Sequence, residues 1–395
     1  MLALTGLPFL GVLTLLVILV VATAVRTWPR ARWQFVRRWA LLLIAEALVV
    51  LVGVVWVNRT QDFYASWGEL LGHEAAPVVT PIHRSPAALA RESRYIPIDP
   101  SRSPAAVTAW ARDVERDWHS QGSHGSLVVS FPLTGPRTHY TLPTAVYLPA
   151  AFFHRRPGRR FPVVEVFPGY PGGPQDWLVD LAARHYLDQS IDSGVLPPTI
   201  AVFVSPDPFP GHDSECVNSA SGVHAGTYLT TDVPAVVSRL LPVLASPRSW
   251  ATLGYATGGF CALHAALTAP YRYGAAVSLS GYLRPVQDAA TGDLLGRHGL
   301  KRFDSVAWLL AHRPVPRLDL LLGAGSSDAA AMNALHGLIR ILPPAVATTT
   351  AIVPGGGRNA RVWRALEPTV WRWLGQHLLE PGFVARKGGP IRLPT

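Results

Sequence analysis

Residues 250–269 read WATL-GYATGG-FCALHAALTA. The first four are β-prone, Gly254 to Gly259 make a glycine-framed turn, and the last ten suit a helix. A strand that turns on glycines straight into a helix is the layout of the G-x-S-x-G turn, which lifts a nucleophile above the end of a sheet. Here the spacing is complete, but the nucleophile slot holds Ala256, which has no hydroxyl.

On either side of this turn, short β-rich runs alternate with helical windows: SLVVSF, TAVYLP, FPVVEVFPG, TIAVFVSPD, AAVSLSG and LDLLLGAG. VVEVF and IAVFV are apolar or nearly so throughout, as strands covered on both faces of a parallel sheet must be. The alternation predicts a doubly wound, mostly parallel α/β domain over residues 125–380. In such sheets ligands lie beyond the carboxyl ends of the strands. Three other strand ends therefore matter. Pro168-Gly169-Tyr170-Pro171-Gly172-Gly173 follows VVEVF and is a loop able to supply an oxyanion-hole N–H. Ser326-Ser327-Asp328 follows LDLLLGAG, where an acid is expected. Pro354-Gly355-Gly356-Gly357-Arg358-Asn359 precedes the last helix, where a histidine belongs, and Arg358 stands there.

These residues carry a resemblance. The chain is similar to the actinobacterial membrane-anchored esterases of the α/β-hydrolase fold, in the branch related to esterase D and the mycolyltransferases. FYASWGELLG, VYLPAAFF, DSEC-V, GYATGGFCA and GGGRNARVW are shared features. The family typically has GYSTGGFCA and GGGHN, with Ser as nucleophile and His as base. The resemblance thus maps the nucleophile to Ala256, the base to Arg358 and the acid to Asp328. Ala cannot attack, and Arg stays protonated and cannot accept a proton. Losing Ser or His from a serine-hydrolase triad lowers kcat by roughly 10⁶-fold. A single engineered Ser→Ala change would explain Ala256 but would leave Arg358 unexplained, so two losses favour a naturally degenerate site.

Some of the site survives in this reading. The N–H groups of Thr257 and of the Gly169–Tyr170 segment form an anion-favouring donor pair at a helix start. Arg358 adds a bidentate partner for carboxylate or phosphate. The expected ligand is an anionic acyl or envelope fragment, and the competing reading is an Arg358–Asp328 pair that fills the cavity. Thr257 lies one residue past the apex and is a poor substitute nucleophile. His264 is expected to be a packed helix residue, whereas His212 and His224 flank the DSEC loop and could enter the cleft. Asp207, Asp213 and Glu215 have no regular ligand spacing, and polar loop residues are the default reading. No cofactor and no metal are expected.

The N-terminal quarter has a different character. Residues 1–25 contain no ionisable side chain, and a second apolar stretch runs from Trp39 to Val57, broken by Glu46. Each suffices to cross a hydrocarbon core about 30 Å thick. Arg26, Arg30, Arg32, Arg37 and Arg38 lie between them, so the positive-inside rule puts this loop in the cytoplasm and everything after residue 58 outside. A cleaved signal peptide fits poorly, because no positive charge precedes the first apolar run. Glu46 is expected to be protonated and packed against the partner span. Cys216 and Cys261 then face an oxidising compartment that permits a disulfide; two unrelated thiols are the alternative.

The expected organisation is a two-span anchor over 1–58, a juxtamembrane connector over 59–124, the α/β-hydrolase-like domain over 125–380 and a loose tail over 381–395. Expected partners are the membrane lipid bilayer and the acyl or anionic ligand. The net charge of +10 rests on 33 Arg and 2 Lys with no basic run in the domain and no nucleic-acid motif, which sets nucleic-acid binding aside. Three functions stay open: an impaired esterase-fold protein that binds an envelope ligand or a protein partner, an active serine-type carboxylesterase or acyltransferase with a rearranged site, and an inherited scaffold with a structural role.

Overall fold

The computed structural model describes residues 6–26, 35–61, 64, 67–71, 77–83, 104–120, 122, 124–294, 305–313, 317–344 and 346–383. Arg30 and Arg32 of the inter-span loop, most of residues 59–103 and the tail from 384 lie outside the described residues.

Two long helices come first, α1 (Leu7–Arg26) and α2 (Phe35–Gln61), packed against each other. Both are long and apolar enough to cross a membrane, and most of their surface is exposed. Their hydroxyls are satisfied internally, as an apolar surrounding demands: Thr14 and Thr23 each donate to the carbonyl four residues back, at 2.9 and 2.7 Å. Trp39 and Trp56 are both exposed on α2. Their separation along the helix is about 26 Å at 1.5 Å per residue, close to a hydrocarbon core. Glu46 does not pack against the partner span as expected. It sits on the exposed side of α2.

After α3 (Trp67–Leu70) come β1 (Val78–His83) and α4 (Pro104–Ser120). The domain continues through β2 (Leu127–Thr134), β3 (Thr141–Leu148), α5 (Ala150–Phe153), β4 (Val163–Phe167), α6 (Ala183–Asp192) and β5 (Ile200–Val204). Then follow α7 (Ala225–Thr227), α8 (Val233–Leu240), β6 (Trp250–Tyr255), α9 (Thr257–Thr268), β7 (Ala275–Leu279) and α10 (Val306–His312). β8 (Asp319–Gly325), α11 (Ala329–Ile341), β9 (Ala347–Val353) and α12 (Ala360–His377) complete it.

The nine strands form one sheet in the order β1-β9-β8-β7-β6-β4-β5-β3-β2. The six from β9 to β5 are mutually parallel, and β1, β3 and β2 run antiparallel to their neighbours. This is the doubly wound, mostly parallel sheet that the sequence predicts, with the elbow strand β6 between β4 and β7. Odd and even residues of β4 serve opposite layers: Val163 and Phe167 pack with α4 and α8–α11, while Val164 and Val166 pack with α6 and α12. Glu165 is fully buried on β4 and accepts from the Tyr273 hydroxyl at 2.7 Å. Burial pushes its carboxyl up to about 8, so at neutral pH it stays largely protonated.

Two strands fall outside the runs that the sequence singles out. β9, ATTTAIV, is β-branched but not continuously apolar, and β1 lies inside the expected connector. β1 pairs with β9 from Val78↔Ile352 onward and covers what would otherwise be an open sheet edge.

Candidate active site

The elbow is built by close backbone approach. β6 is buried along its whole length, and Ala256 follows it at φ 52°, ψ −118° before α9 begins at Thr257. A non-glycine residue held there costs on the order of 1–3 kcal/mol and persists only where its surroundings impose it. The surroundings are explicit. A Cβ on Gly254 would lie 2.0 Å from the Gly258 carbonyl oxygen, and one on Gly258 would lie 2.3 Å from that of Phe167. The Ala256 N–H donates to Leu279 O at 2.8 Å, and its carbonyl accepts from Gly259 and Phe260. Ala256 is partly exposed, so its methyl stands where a nucleophile's oxygen would begin.

The loop after β4 presses on this turn: a Cβ on Gly169 would meet the Tyr255 ring at 2.8 Å and the Ala256 methyl at 3.4 Å. Asp176 organises the loop by accepting from Gly173 N–H at 3.1 Å and from the Tyr255 hydroxyl at 3.2 Å. The Tyr255 phenol is raised, first by burial and then by Asp176, while the Gly169 N–H opposes the shift. Gly169 thus lies directly against Tyr255 and the apex of the turn, with Tyr170 next to it in the chain.

The acid and base positions lie on two loops held face to face. Ser326 N–H donates to Val353 O at 2.9 Å, Ser327 N–H to Gly356 O at 2.9 Å, and Gly355 N–H to Ser326 Oγ at 2.8 Å. Asp328 caps α11, its Oδ1 accepting from Ala331 N–H at 2.9 Å. Its Oδ2 is buried and has no hydrogen-bond partner. Arg358 is half-buried, and among the described residues no ion pair joins it to Asp328. The Arg358–Asp328 contact that the sequence suggested is absent. The acceptor that would orient a histidine stays open instead.

The cleft's other wall is the DSEC loop. Cys216 and Cys261 form a disulfide with a Cα–Cα distance of 5.5 Å, tying the loop to α9. Closing a loop of this length contributes about 4 kcal/mol in the chain-entropy picture. Glu215 and Cys216 both adopt left-handed backbone, at φ 46° and 56°. Glu215 accepts from the Tyr282 hydroxyl at 2.5 Å and from Val286 N–H at 3.0 Å, and burial raises its carboxyl to about 8. Asp213 accepts from Glu215 N–H at 2.8 Å, and Asp207 accepts from Ser214 N–H at 2.8 Å. Burial lifts Asp213 to about 6, with Asp207 and Asp288 adding to the shift. These carboxylates serve the loop's own backbone. Among the described residues, no group of three His, Cys, Asp or Glu side chains could hold a metal.

Tyr282 is the residue that sequence reasoning missed. Its hydroxyl donates to Glu215, and its phenol is pushed well up, first by burial and then by Glu215, with the Thr257 hydroxyl opposing the shift. Nothing local in GYLRP signals this, because Glu215 lies 67 residues away in the chain. His264 is buried in α9 and stacks on Phe260 at 5.5 Å, as expected. His224 is exposed beside α7, and its backbone N–H donates to the Tyr140 hydroxyl. His212 is half-buried near Gly292.

The Esterase family model matches residues 136–344, which is 209 residues and just over half of the chain. The match includes Ala256 and Asp328 and ends before Arg358. A curated relative, an uncharacterised protein of Corynebacterium glutamicum, is 28% identical over 261 residues, covering 62% of this chain and 57% of that protein. The chain therefore spans little more than half the length of that relative. Among solved structures, a ferulic acid esterase aligns with TM-score 0.56 at 15% identity, over 64% of this chain and 99% of its own. An S-formylglutathione hydrolase from Agrobacterium tumefaciens aligns with TM-score 0.54 at 15% identity, over 64% and 96%. FphF, a fluorophosphonate-binding serine hydrolase of Staphylococcus aureus, aligns with TM-score 0.53 at 16% identity, over 64% and 99%. At these identities the likeness is one of fold, the α/β-hydrolase fold expected from the sequence.

Proposed function

The chain belongs to the Esterase family, and we propose that it is a membrane-anchored member whose triad has lapsed and whose old acyl site holds an anionic acyl or envelope ligand without turning it over. The observation that carries this reading is the elbow itself. It keeps the strained φ 52°, ψ −118° geometry, yet it presents a methyl group. Acyl transfer needs an oxygen or sulfur nucleophile and a base to take its proton. Ala256 supplies neither, and Arg358 has no free lone pair to act as the base. In this reading the N–H groups of Thr257 at the start of α9 and of the Gly169–Tyr170 segment favour negative charge, and Arg358 on the loop before α12 supplies a cation.

The domain is read as extracytoplasmic. The arginines between the two spans support this through the positive-inside rule, and the Cys216–Cys261 disulfide supports it through redox compartment. A second reading, an active esterase or acyltransferase with a rearranged site, draws on the Thr257 hydroxyl one residue past the apex and on the Tyr282 phenol it acts on, which donates to Glu215.

Ester hydrolysis and fluorophosphonate labelling of the full-length protein in nanodiscs separate the two. The parent and Ala256→Ser alone are expected to stay within about tenfold of background, while Ala256→Ser with Arg358→His gains roughly 10³-fold or more and takes the label at position 256. Labelling of the parent at Thr257, with turnover typical of enzymes, would establish the second reading and discard the first.

A further inference from the structure

The domain is fastened to the hairpin at one end of its sheet. Asn58, near the end of α2, holds Tyr64 by both backbone groups: its Nδ2 donates to Tyr64 O at 2.8 Å, and its Oδ1 accepts from Tyr64 N–H at 2.9 Å. The Tyr64 ring centroid lies 5.4 Å from the Arg361 guanidinium carbon. Arg361 belongs to the first turn of α12, which follows the loop at the carboxyl end of β9. A single residue, Tyr64, thus stands between the end of α2 and the carboxyl-end face of the sheet. The strand pairing gives the same polarity independently. β1 runs antiparallel to β9 with Val78 opposite Ile352, so the chain coming from the hairpin enters the sheet at that end too. In a membrane-anchored chain, the end of the sheet that carries the elbow is therefore the end turned to the bilayer.

Three apolar side chains project from loops at that end. Val179 follows β4 and is 66% exposed, Phe209 follows β5 and is 49% exposed, and Val286 follows β7 and is 45% exposed. Each is held on a fixed frame. Arg364 of α12 donates to the carbonyl of Asp180, next to Val179, at the corner where Tyr64 attaches. The Phe209 ring meets Tyr140 edge-on at 6.1 Å. The Val286 N–H donates to Glu215 at 3.0 Å, and the adjoining Cys216–Cys261 disulfide ties that loop to α9. The exposed charges beside these three, Asp180, Arg284 and Asp288, are of both signs. Single exposed apolar side chains are ordinary on a protein surface, and Tyr271 and Ile341 show comparable exposure at the opposite end of the sheet. The attachment to α2, rather than exposure alone, distinguishes the two ends.

We propose that the carboxyl-end face of the sheet rests on the lipid surface, with Val179, Phe209 and Val286 seated among the head groups and the elbow cleft opening onto the leaflet. Apolar and aromatic side chains gain by leaving water at that depth, and charges of both signs suit a zwitterionic surface. The proposal rests on the anchor reading and deepens the acyl-ligand reading, because a ligand with an acyl chain then reaches the cleft from the bilayer without crossing water.

The test uses the full-length protein in phosphatidylcholine nanodiscs that carry a nitroxide on the lipid head group. The two native cysteines are bonded to each other, so a thiol-reactive fluorophore labels only an introduced cysteine. Labels go on Val179→Cys, Phe209→Cys and Val286→Cys, and on Tyr271→Cys and Ile341→Cys at the opposite end. A label on Leu16→Cys, exposed on α1, reports insertion of the hairpin through a nitroxide at the acyl midpoint. The two ends of the sheet differ in height by about 20 Å, the length of a six-residue strand, so quenching at the first three positions should exceed that at the opposite end about threefold or more. Phe209→Asp with Val286→Asp should lower quenching at Val179→Cys about twofold and leave Leu16→Cys unchanged. Equal quenching at the two ends, or more at Tyr271→Cys and Ile341→Cys, would overturn the proposal even if the double variant fails to fold. Labels at the first three positions that are shielded from aqueous iodide yet not quenched by the lipid nitroxide would also overturn it, and would give the face to a protein partner or a second copy. Absence of quenching at Leu16→Cys would sink the anchor reading and the proposal together. None of these readouts needs a bound ligand, so failure of the acyl-ligand reading alone leaves the difference between the two ends in place.

Discussion

The two halves of the candidate site are built differently. At the end of β6 the backbone holds an elbow geometry with a methyl group, Ala256, at its apex. At the ends of β8 and β9 the loops are equally well held, but Asp328 Oδ2 is buried without a donor. The elbow persists because it is packed from every side. Gly254, Gly258 and Gly169 each leave no room for another atom, so the turn has nowhere to relax whatever residue sits at its apex. At the acid corner, among the described residues, no ion pair joins Arg358 to Asp328.

The sharpest way to break this contrast is Gly254→Ala. The new methyl would meet the Gly258 carbonyl at 2.0 Å, backbone against backbone. The variant is expected to lose more than about 4 kcal/mol in denaturant unfolding or to fail to fold. A loss below about 1 kcal/mol would mean that the elbow is not clamped.

A second test concerns the wall beside the elbow. Glu215 has a folded pKa of about 8, raised by burial above its unfolded value near 4.3. Its folded form binds the extra proton between those values, so its contribution to stability is complete below about pH 4 and falls away as pH rises through 8. Thermal stability should therefore decline from pH 5 to pH 9 by an amount worth a few kcal/mol, and Glu215→Gln should flatten part of that decline. Glu165 and Glu367, also raised to about 8 by burial, contribute to the same slope. A Glu215→Gln curve parallel to the parent's would show that this carboxyl is not strained by burial.

The smallest effects are expected at the acid corner. Asp328→Ala removes the cap of α11 and should cost about 1 kcal/mol. Asp328→Asn keeps the capping oxygen and removes only an unpartnered charge, so it should stay within about 0.5 kcal/mol of the parent. Equal losses in the two variants would mean that the second oxygen is in use after all. That outcome would dissolve the contrast.

Much of this could be read along the chain. Strands buried on both faces, such as IAVFV, must be apolar, and a turn between a strand and a helix must be rich in glycine, so the sheet's centre and the elbow announce themselves locally. The edge strand β1 does not, since VVTPIH is a strand only because β9 lies open beside it. The Glu215–Tyr282 hydrogen bond is silent for the same reason: it joins two segments that meet only in the folded domain.

The sequence by itself determined the class of sheet, the order of the candidate site loops, the length of the two apolar helices and the presence of Ala at 256 and Arg at 358. Each of these follows from residue type and spacing, which are local. Only the tertiary structure decided that no ion pair joins Asp328 to Arg358 among the described residues, that Gly169 presses on the Tyr255 ring and that Glu46 faces outward. Those are relations between groups far apart in the chain, and their distances are set by how the helices pack against the sheet.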